Sequence, residues 1–131
     1  MLQKEVVTRM SAKPHSRDYG RLTVALAAHC HVETLFTIGP GAFKPAPRVE
    51  SAFARLTPLP ESLLAGADQQ MFDQILRAAF GKRRKQLANA LSGVVPIDTI
   101  RAAGINPELR AEDLDVSEFI SIVIQHKQDI Q

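Results

Sequence analysis

This 131-residue chain holds a single cysteine, Cys30, so no internal disulfide can brace it. Its neighbours are histidines, but His29, Cys30 and His31 are consecutive, and consecutive side chains on one element do not converge on a metal. No second ligand pair stands at zinc spacing, so a packing role is expected for the cysteine. Tryptophan is absent and aromatic residues make up only 5%, which leaves the core to Leu, Ile, Val and Ala. No apolar run approaches the ~18 residues that span a membrane. With no signal peptide and no disulfide pair, the cytoplasm is the expected compartment.

Catalytic constellations are missing as well. His15, His29, His31 and His126 have no partner at a recognisable spacing and read as ordinary surface or core histidines. The carboxylates are scattered. Gly39-Pro40-Gly41 lacks the glycine spacing and the following helix of a phosphate cradle. No dinucleotide or methyl-donor fingerprint occurs, so by its own residues the chain is not a complete enzyme.

What is present is ordinary globular material, 45% hydrophobic and 23% charged, enough for one domain or two small subdomains. The net charge of +2 conceals an asymmetry. Residues 1–60 carry eight Lys/Arg against four Asp/Glu, whereas residues 61–131 carry eight against ten. Within that acidic second part, Arg77, Lys82, Arg83, Arg84 and Lys85 follow one another with no acid after Asp73. A focused basic patch on a weakly charged body points to a polyanionic partner.

The apolar pattern sets the elements. Val6, Val7 and Met10 share a helical face at the start, with no strand leading into it, and the abrupt opening suggests a lost beginning. Residues 13–19 read as a loop around Pro14. A short helix from Arg21 to about Cys30 would turn Leu22, Ala25, Leu26 and His29 inward. Two runs rich in β-branched and aromatic residues, 31–38 and 51–57, read as strands separated by too many residues for a tight turn. After a linker over 58–68 everything reads helical. Phe72, Ile75, Leu76, Ala79 and Phe80 form one stripe, and Gly81 interrupts. Lys82 to Lys85 opens a second helix through Leu87 and Leu91, and a third runs from Ile97 to Ala103 before Gly104. Asn106-Pro107 suits another helix start. Asp115 and Glu118 have capping-box spacing ahead of Phe119, Ile120, Val123 and Ile124.

Two places could carry chemistry. In Phe43-Lys44-Pro45-Ala46-Pro47-Arg48, two prolines stiffen a backbone that holds an aromatic ring beside cations. A splayed nucleobase and its phosphates would need such a face; a ring that merely plugs the core is an equal alternative. The run Lys82-Arg83-Arg84-Lys85 favours phosphate contact over a plain solvated turn, contact that would position RNA without reading its sequence. A small helix-turn-helix DNA-binding protein could present the same basic turn.

Taken in order, these segments resemble the ribosomal RNA adenine N6-dimethyltransferases. Phe43 to Ser51 resembles that family's Phe-x-Pro-x-Pro-Lys/Arg-Val-x-Ser loop. Ala79 to Leu87, with Asn89 and Leu91, resembles its Phe-x-x-Arg-Arg-Lys junction, and Arg110 to Leu114 its closing Arg-x-Glu-x-Leu motif. Gln3-Lys4-Glu5-Val6 and Tyr19-Gly20-Arg21-Leu22 match in order and approximate spacing, the former leaning towards the bacterial small-subunit enzyme.

The resemblance implies an α/β plus all-α architecture. Residues 1–58 would be the C-terminal part of a Rossmann-like, S-adenosylmethionine-dependent methyltransferase domain with a parallel sheet. Residues 59–68 would be a linker, and 69–131 a helical rRNA-binding domain. Phe43 would stack on a flipped adenine, with Pro45 and Pro47 fixing the loop and Lys44 and Arg48 beside it. Tyr19, Arg21, Arg83, Arg84 and Lys85 would join the RNA contacts. The partner would be small-subunit rRNA in the immature 30S particle. The family's donor-binding and Asn-Leu-Pro-Tyr catalytic motifs do not occur here. The chain alone is therefore expected to bind no S-adenosylmethionine, to be inactive in methyl transfer, and to keep RNA binding. Its partial sheet would invite self-association. A non-catalytic ribosome-assembly factor is the remaining alternative.

Overall fold

The computed structural model describes residues 2–39, 50–60 and 68–130. Strand β1 (Leu2–Gln3) runs directly into helix α1 (Lys4–Met10). Helix α2 (Arg21–Ala27) leads into β2 (Cys30–Ile38), and β3 (Ser51–Pro58) completes the described sheet. Helices α3 (Gln69–Gly81), α4 (Leu87–Ala90), α5 (Ile97–Ala102) and α6 (Val116–Asp129) follow, with a 3₁₀ turn at Ala111–Asp113 before α6.

The two longest helices are fixed by their ends as much as by their stripes. Asp68 caps α3 by accepting the Met71 N–H at 3.1 Å, and Phe72, Ile75, Leu76 and Ala79 are all buried below it. At α6 the capping box closes both ways: Asp115 accepts from the Glu118 N–H at 2.9 Å, and Glu118 accepts from the Asp115 N–H at 3.1 Å. Such reciprocal caps satisfy N–H groups that the first helical turn leaves unpaired. Helix α5 stops where Gly104 takes φ +83°, a left-handed value that a side chain would strain. There the Gly104 N–H bonds to the Arg101 carbonyl and the Ile105 N–H to the Ile100 carbonyl, while Ile100 and Ile105 are both buried. That pairing is the Schellman stop with its hydrophobic contact.

One apolar cluster joins Tyr19, Val24 and Ala28 to Phe72, Leu76, Leu87, Leu91, Ile100, Phe119 and Ile122. Helix α2 therefore contributes to the same core as α3 and α6. On the sheet, Leu2, Leu35, Phe36 and Leu56 remain 43–53% exposed, and Phe36 lies against Phe53 with ring centroids 4.7 Å apart.

The structure corrects several expectations. The sheet is not parallel: its order is β1-β3-β2 and both pairings are antiparallel. Ile38 pairs with Ser51, so the chain re-enters beside the point where it left, and such a return imposes antiparallel pairing. A strand does lead into α1, because Leu2 and Gln3 pair with Ala52 and Ser51. Helix α2 ends at Ala27, not near Cys30; it buries Thr23 and Val24, with Ala28 buried just beyond its end, while Leu22 and His29 face outward. Seven residues are too few for periodicity to fix the phase of a helix that touches α1, α3 and β2 at once. Lys82 to Lys85 is a turn between α3 and α4, not a helix start. A helix there would stack Lys82 on Lys85 at like-charge spacing. Asn106-Pro107 also makes a turn: Asn106 Oδ1 accepts the Glu108 N–H at 2.9 Å, a local bond that competes with a helix.

Candidate nucleic-acid interface

Three segments meet on one side of the molecule: the loop over 11–20, the basic turn over 82–85 and the 3₁₀ turn. The loop is held at both ends. His15, at φ +72°, donates its backbone N–H to the Glu112 carbonyl at 2.8 Å, and its Nδ1 lies 3.0 Å from the Asp113 carboxylate. At the other end the Tyr19 hydroxyl donates to the Leu114 carbonyl, and its carbonyl accepts from Arg83 Nη2 at 2.8 Å. Thr23 ties α2 to α1: its hydroxyl donates to the Arg9 carbonyl and accepts from the Gly20 N–H.

These ties gather cations that lie far apart in sequence. A cleft of about 630 Å³ is lined by Arg9, Arg17, Arg21, Arg77 and Arg83, against only Asp18 and Asp73. A second hollow of about 560 Å³ is lined by His15, Arg17, Arg83, Arg84, Arg110 and Glu112. Arg17 and Arg83 belong to both, so the two form one continuous basic surface. Some of this charge is already paired: Arg9 with Glu5 at 2.7 Å, Arg110 with Glu112 at 3.0 Å. Among the described residues Arg17, Arg21, Arg77, Arg84 and Lys85 have no ion-pair partner. Several unpaired guanidinium forks facing one concavity suit phosphate oxygens, which they grip in bidentate fashion. Among the described residues no Phe or Tyr ring lines either hollow, so this surface suits backbone holding more than base reading.

Of the residues expected at an RNA surface, Arg21, Arg83 and Arg84 line these hollows, and Lys85 is exposed in the same basic turn. Phe43, Lys44, Pro45, Pro47 and Arg48 lie outside the described residues. Tyr19 differs from expectation: it is 3% exposed, its ring packs edge-on to Phe80, and it offers no face to a ligand. Sequence reasoning missed Arg9 and Arg17, whose only signal was the excess of arginine before residue 22. Arg77 was visible as part of the basic patch and Arg110 only as part of a motif, since the fold supplies the convergence.

Burial pushes the Tyr19 phenol well above its ordinary range, and the nearby Asp115 and Glu118 charges add to the shift. The folded state therefore keeps a proton that the unfolded state releases above the ordinary tyrosine pKa of ~10. Stability is complete below that pH and falls as pH rises beyond it. Because Tyr19 is the sole tyrosine and tryptophan is absent, ultraviolet titration reads this group directly. Tyrosinate is expected to appear together with unfolding, and Tyr19→Phe to remove that part of the alkaline sensitivity. A simple titration near pH 10 with the fold intact would contradict it.

No helix among the described residues is long and apolar enough to cross a membrane, and none of their His, Cys, Asp and Glu side chains form a metal-binding group.

Comparison with known proteins gives consistent likenesses. The family model described as "Ribosomal RNA adenine dimethylase" matches residues 1–128. A Xanthomonas campestris protein called ribosomal RNA small subunit methyltransferase A is 50% identical over 122 residues, 93% of this chain and 47% of that protein. The Pseudomonas aeruginosa protein of the same name is 45% identical over 125 residues, 95% of this chain and 47% of its own length. The chain thus spans about half the length of the curated relatives it matches. Among solved structures, a dimethyladenosine transferase from Plasmodium falciparum superposes with a TM-score of 0.84 at 24% identity, covering 96% of this chain and 55% of that one. The 23S rRNA methyltransferase ErmE gives 0.63 at 21% identity, covering 96% and 52%. Both establish a methyltransferase-type fold. None of these likenesses supports a helix-turn-helix DNA reader or a non-catalytic assembly factor.

Proposed function

The chain belongs to the ribosomal RNA adenine dimethylase family, and from that premise we propose that it is the RNA-gripping part of a small-subunit rRNA adenine N6-dimethyltransferase. The whole enzyme would take methyl groups from S-adenosylmethionine. It would place two on N6 of each of two adjacent adenosines, in a hairpin loop near the 3′ end of the rRNA of an immature 30S particle in the cytoplasm. The observation that carries this reading is the continuous arginine surface where the 11–20 loop meets the basic turn. Arg17, Arg21, Arg77, Arg84 and Lys85 hold phosphates there. Phe43 and its proline loop keep the base-stacking role that the family resemblance gives them.

The described residues do not suit the methyl donor. Gly93 and Gly104, the described glycines with positive φ, sit in turns of the helical segment, and β1 passes into α1 with no glycine between. The half-exposed apolar side chains of β2 and β3 are a route to self-association.

The test is binding of the chain to a hairpin RNA with two adjacent loop adenosines, beside a DNA duplex of equal length, over a salt series. Preferential RNA binding that weakens steeply with salt is expected, with no methyl transfer when donor is added. Equal affinity for the duplex would remove the RNA reading, and measurable transfer by the pure chain would remove the division of labour.

A further inference from the structure

We propose that Arg83 is a positioning residue, not a phosphate ligand. It clasps the 11–20 loop to the helical segment and leaves the phosphate contacts of the basic turn to its neighbours. This rests on the RNA-binding reading above. In sequence, Arg83 is one of four equivalent cations; in the structure it is singular. Its Nη2 donates to the Tyr19 carbonyl at 2.8 Å and lies 3.6 Å from the Glu112 carboxylate. Its guanidinium carbon stands 6.0 Å from the centre of the Phe80 ring. Lys82, Arg84 and Lys85 are exposed, whereas Arg83 is partly buried. An arginine fork presents its donors in one rigid plane, so an Nη2 committed inward is lost to bidentate phosphate contact.

The place of the contact explains what it positions. The Tyr19 carbonyl lies just before Gly20, the N-cap of α2, so the clasp sits between Arg17 and Arg21. Holding that carbonyl fixes both arginines against the basic turn. Glu112 stabilises the arrangement by pairing with Arg110 as well, at 3.0 Å. The carboxylate of the Arg110-Ala111-Glu112-Asp113-Leu114 segment thereby acquires a role: it keeps two guanidinium groups in place at the rim of the surface.

Five variants of the full chain test this, Glu112→Gln alone among them, each read by thermal midpoint and by hairpin RNA binding over a salt series. Arg84→Gln should lower the salt slope by about 0.7–0.9, as for one lost phosphate contact, with the midpoint nearly unchanged. Arg83→Gln should lower the midpoint by roughly 3–6 °C and weaken RNA binding several-fold at every salt concentration, with the wild-type slope. Arg83→Lys, which can still reach the carbonyl, should recover part of both losses. Adding Glu112→Gln to Arg83→Gln should lower the midpoint less than adding it to the wild type. An Arg83→Gln variant that flattens the salt slope like Arg84→Gln and keeps its midpoint would overturn the proposal. If the wild type shows no salt-dependent RNA binding, the functional reading fails. The coupling between Arg83 and Glu112 in the midpoint still decides the clasp.

Discussion

Replacing Phe72 with alanine is expected to cost about 3–5 kcal/mol of stability, the range for emptying a buried phenylalanine site. A domain of this kind has only about 5–15 kcal/mol in total, so the variant should lose a large fraction of its stability. Phe72 is fully buried and lies in the cluster that joins Val24 and Ala28 of α2 to Phe119 and Ile122 of α6. A cavity there loosens both halves of the core, so one cooperative transition is expected to move as a whole. Urea unfolding followed by helical circular dichroism measures it. The control is Phe36→Ala on the sheet, where the ring is already 53% exposed; that change should cost far less. Equal losses at the two positions would mean that α3 is not at the centre of the core.

Changing Arg17, Arg21 and Arg77 together to glutamine is expected to abolish most RNA affinity while sparing the fold. The three side chains line one cleft and have no ion-pair partner among the described residues, so their removal strands no buried charge. With each phosphate contact contributing about 0.7 to the salt slope for single-stranded RNA, the slope should fall by about 2. Affinity near physiological salt should fall on the order of tens-fold. A binding isotherm at several salt concentrations measures both. An unchanged slope would mean that the cleft is merely solvated and that the contacts lie elsewhere.

How far the sequence alone carried depends on whether a signal was local. Helix α3 was legible from the stripe of Phe72 to Ala79, its Asp68 cap being read as linker, and α6 from the Asp115 and Glu118 caps ahead of Phe119. The end of α5 at Gly104 was an equally local signal. Helix α2 starts where expected but is shorter and rotated, since neighbours on several sides set the buried arc of a seven-residue helix. Sheet direction was not legible, because strand composition does not encode it, and a fold-level expectation of parallel strands misled. The contiguous half of the basic surface could be seen in Lys82 to Lys85. Arg9 and Arg17 could not, because they meet Arg21 and Arg77 only when α1, α2 and α3 are folded. The buried state of Tyr19 was equally hidden: the match to a family segment marked the residue but not the direction of its ring.

The hydroxyl of Tyr19 reaches a carbonyl 95 positions away, and this has a consequence for the birth of the protein. Translation delivers about 5–20 residues per second, so α2 leaves the ribosome several seconds before α6 exists. Throughout that interval Val24, Ala28 and the Tyr19 ring lack the α6 side of the cluster they bury in. Contacts that join distant parts of a chain also slow its folding. The segment from α2 onward therefore passes through a vectorial waiting period, open to chaperones and to premature pairing, until α6 arrives.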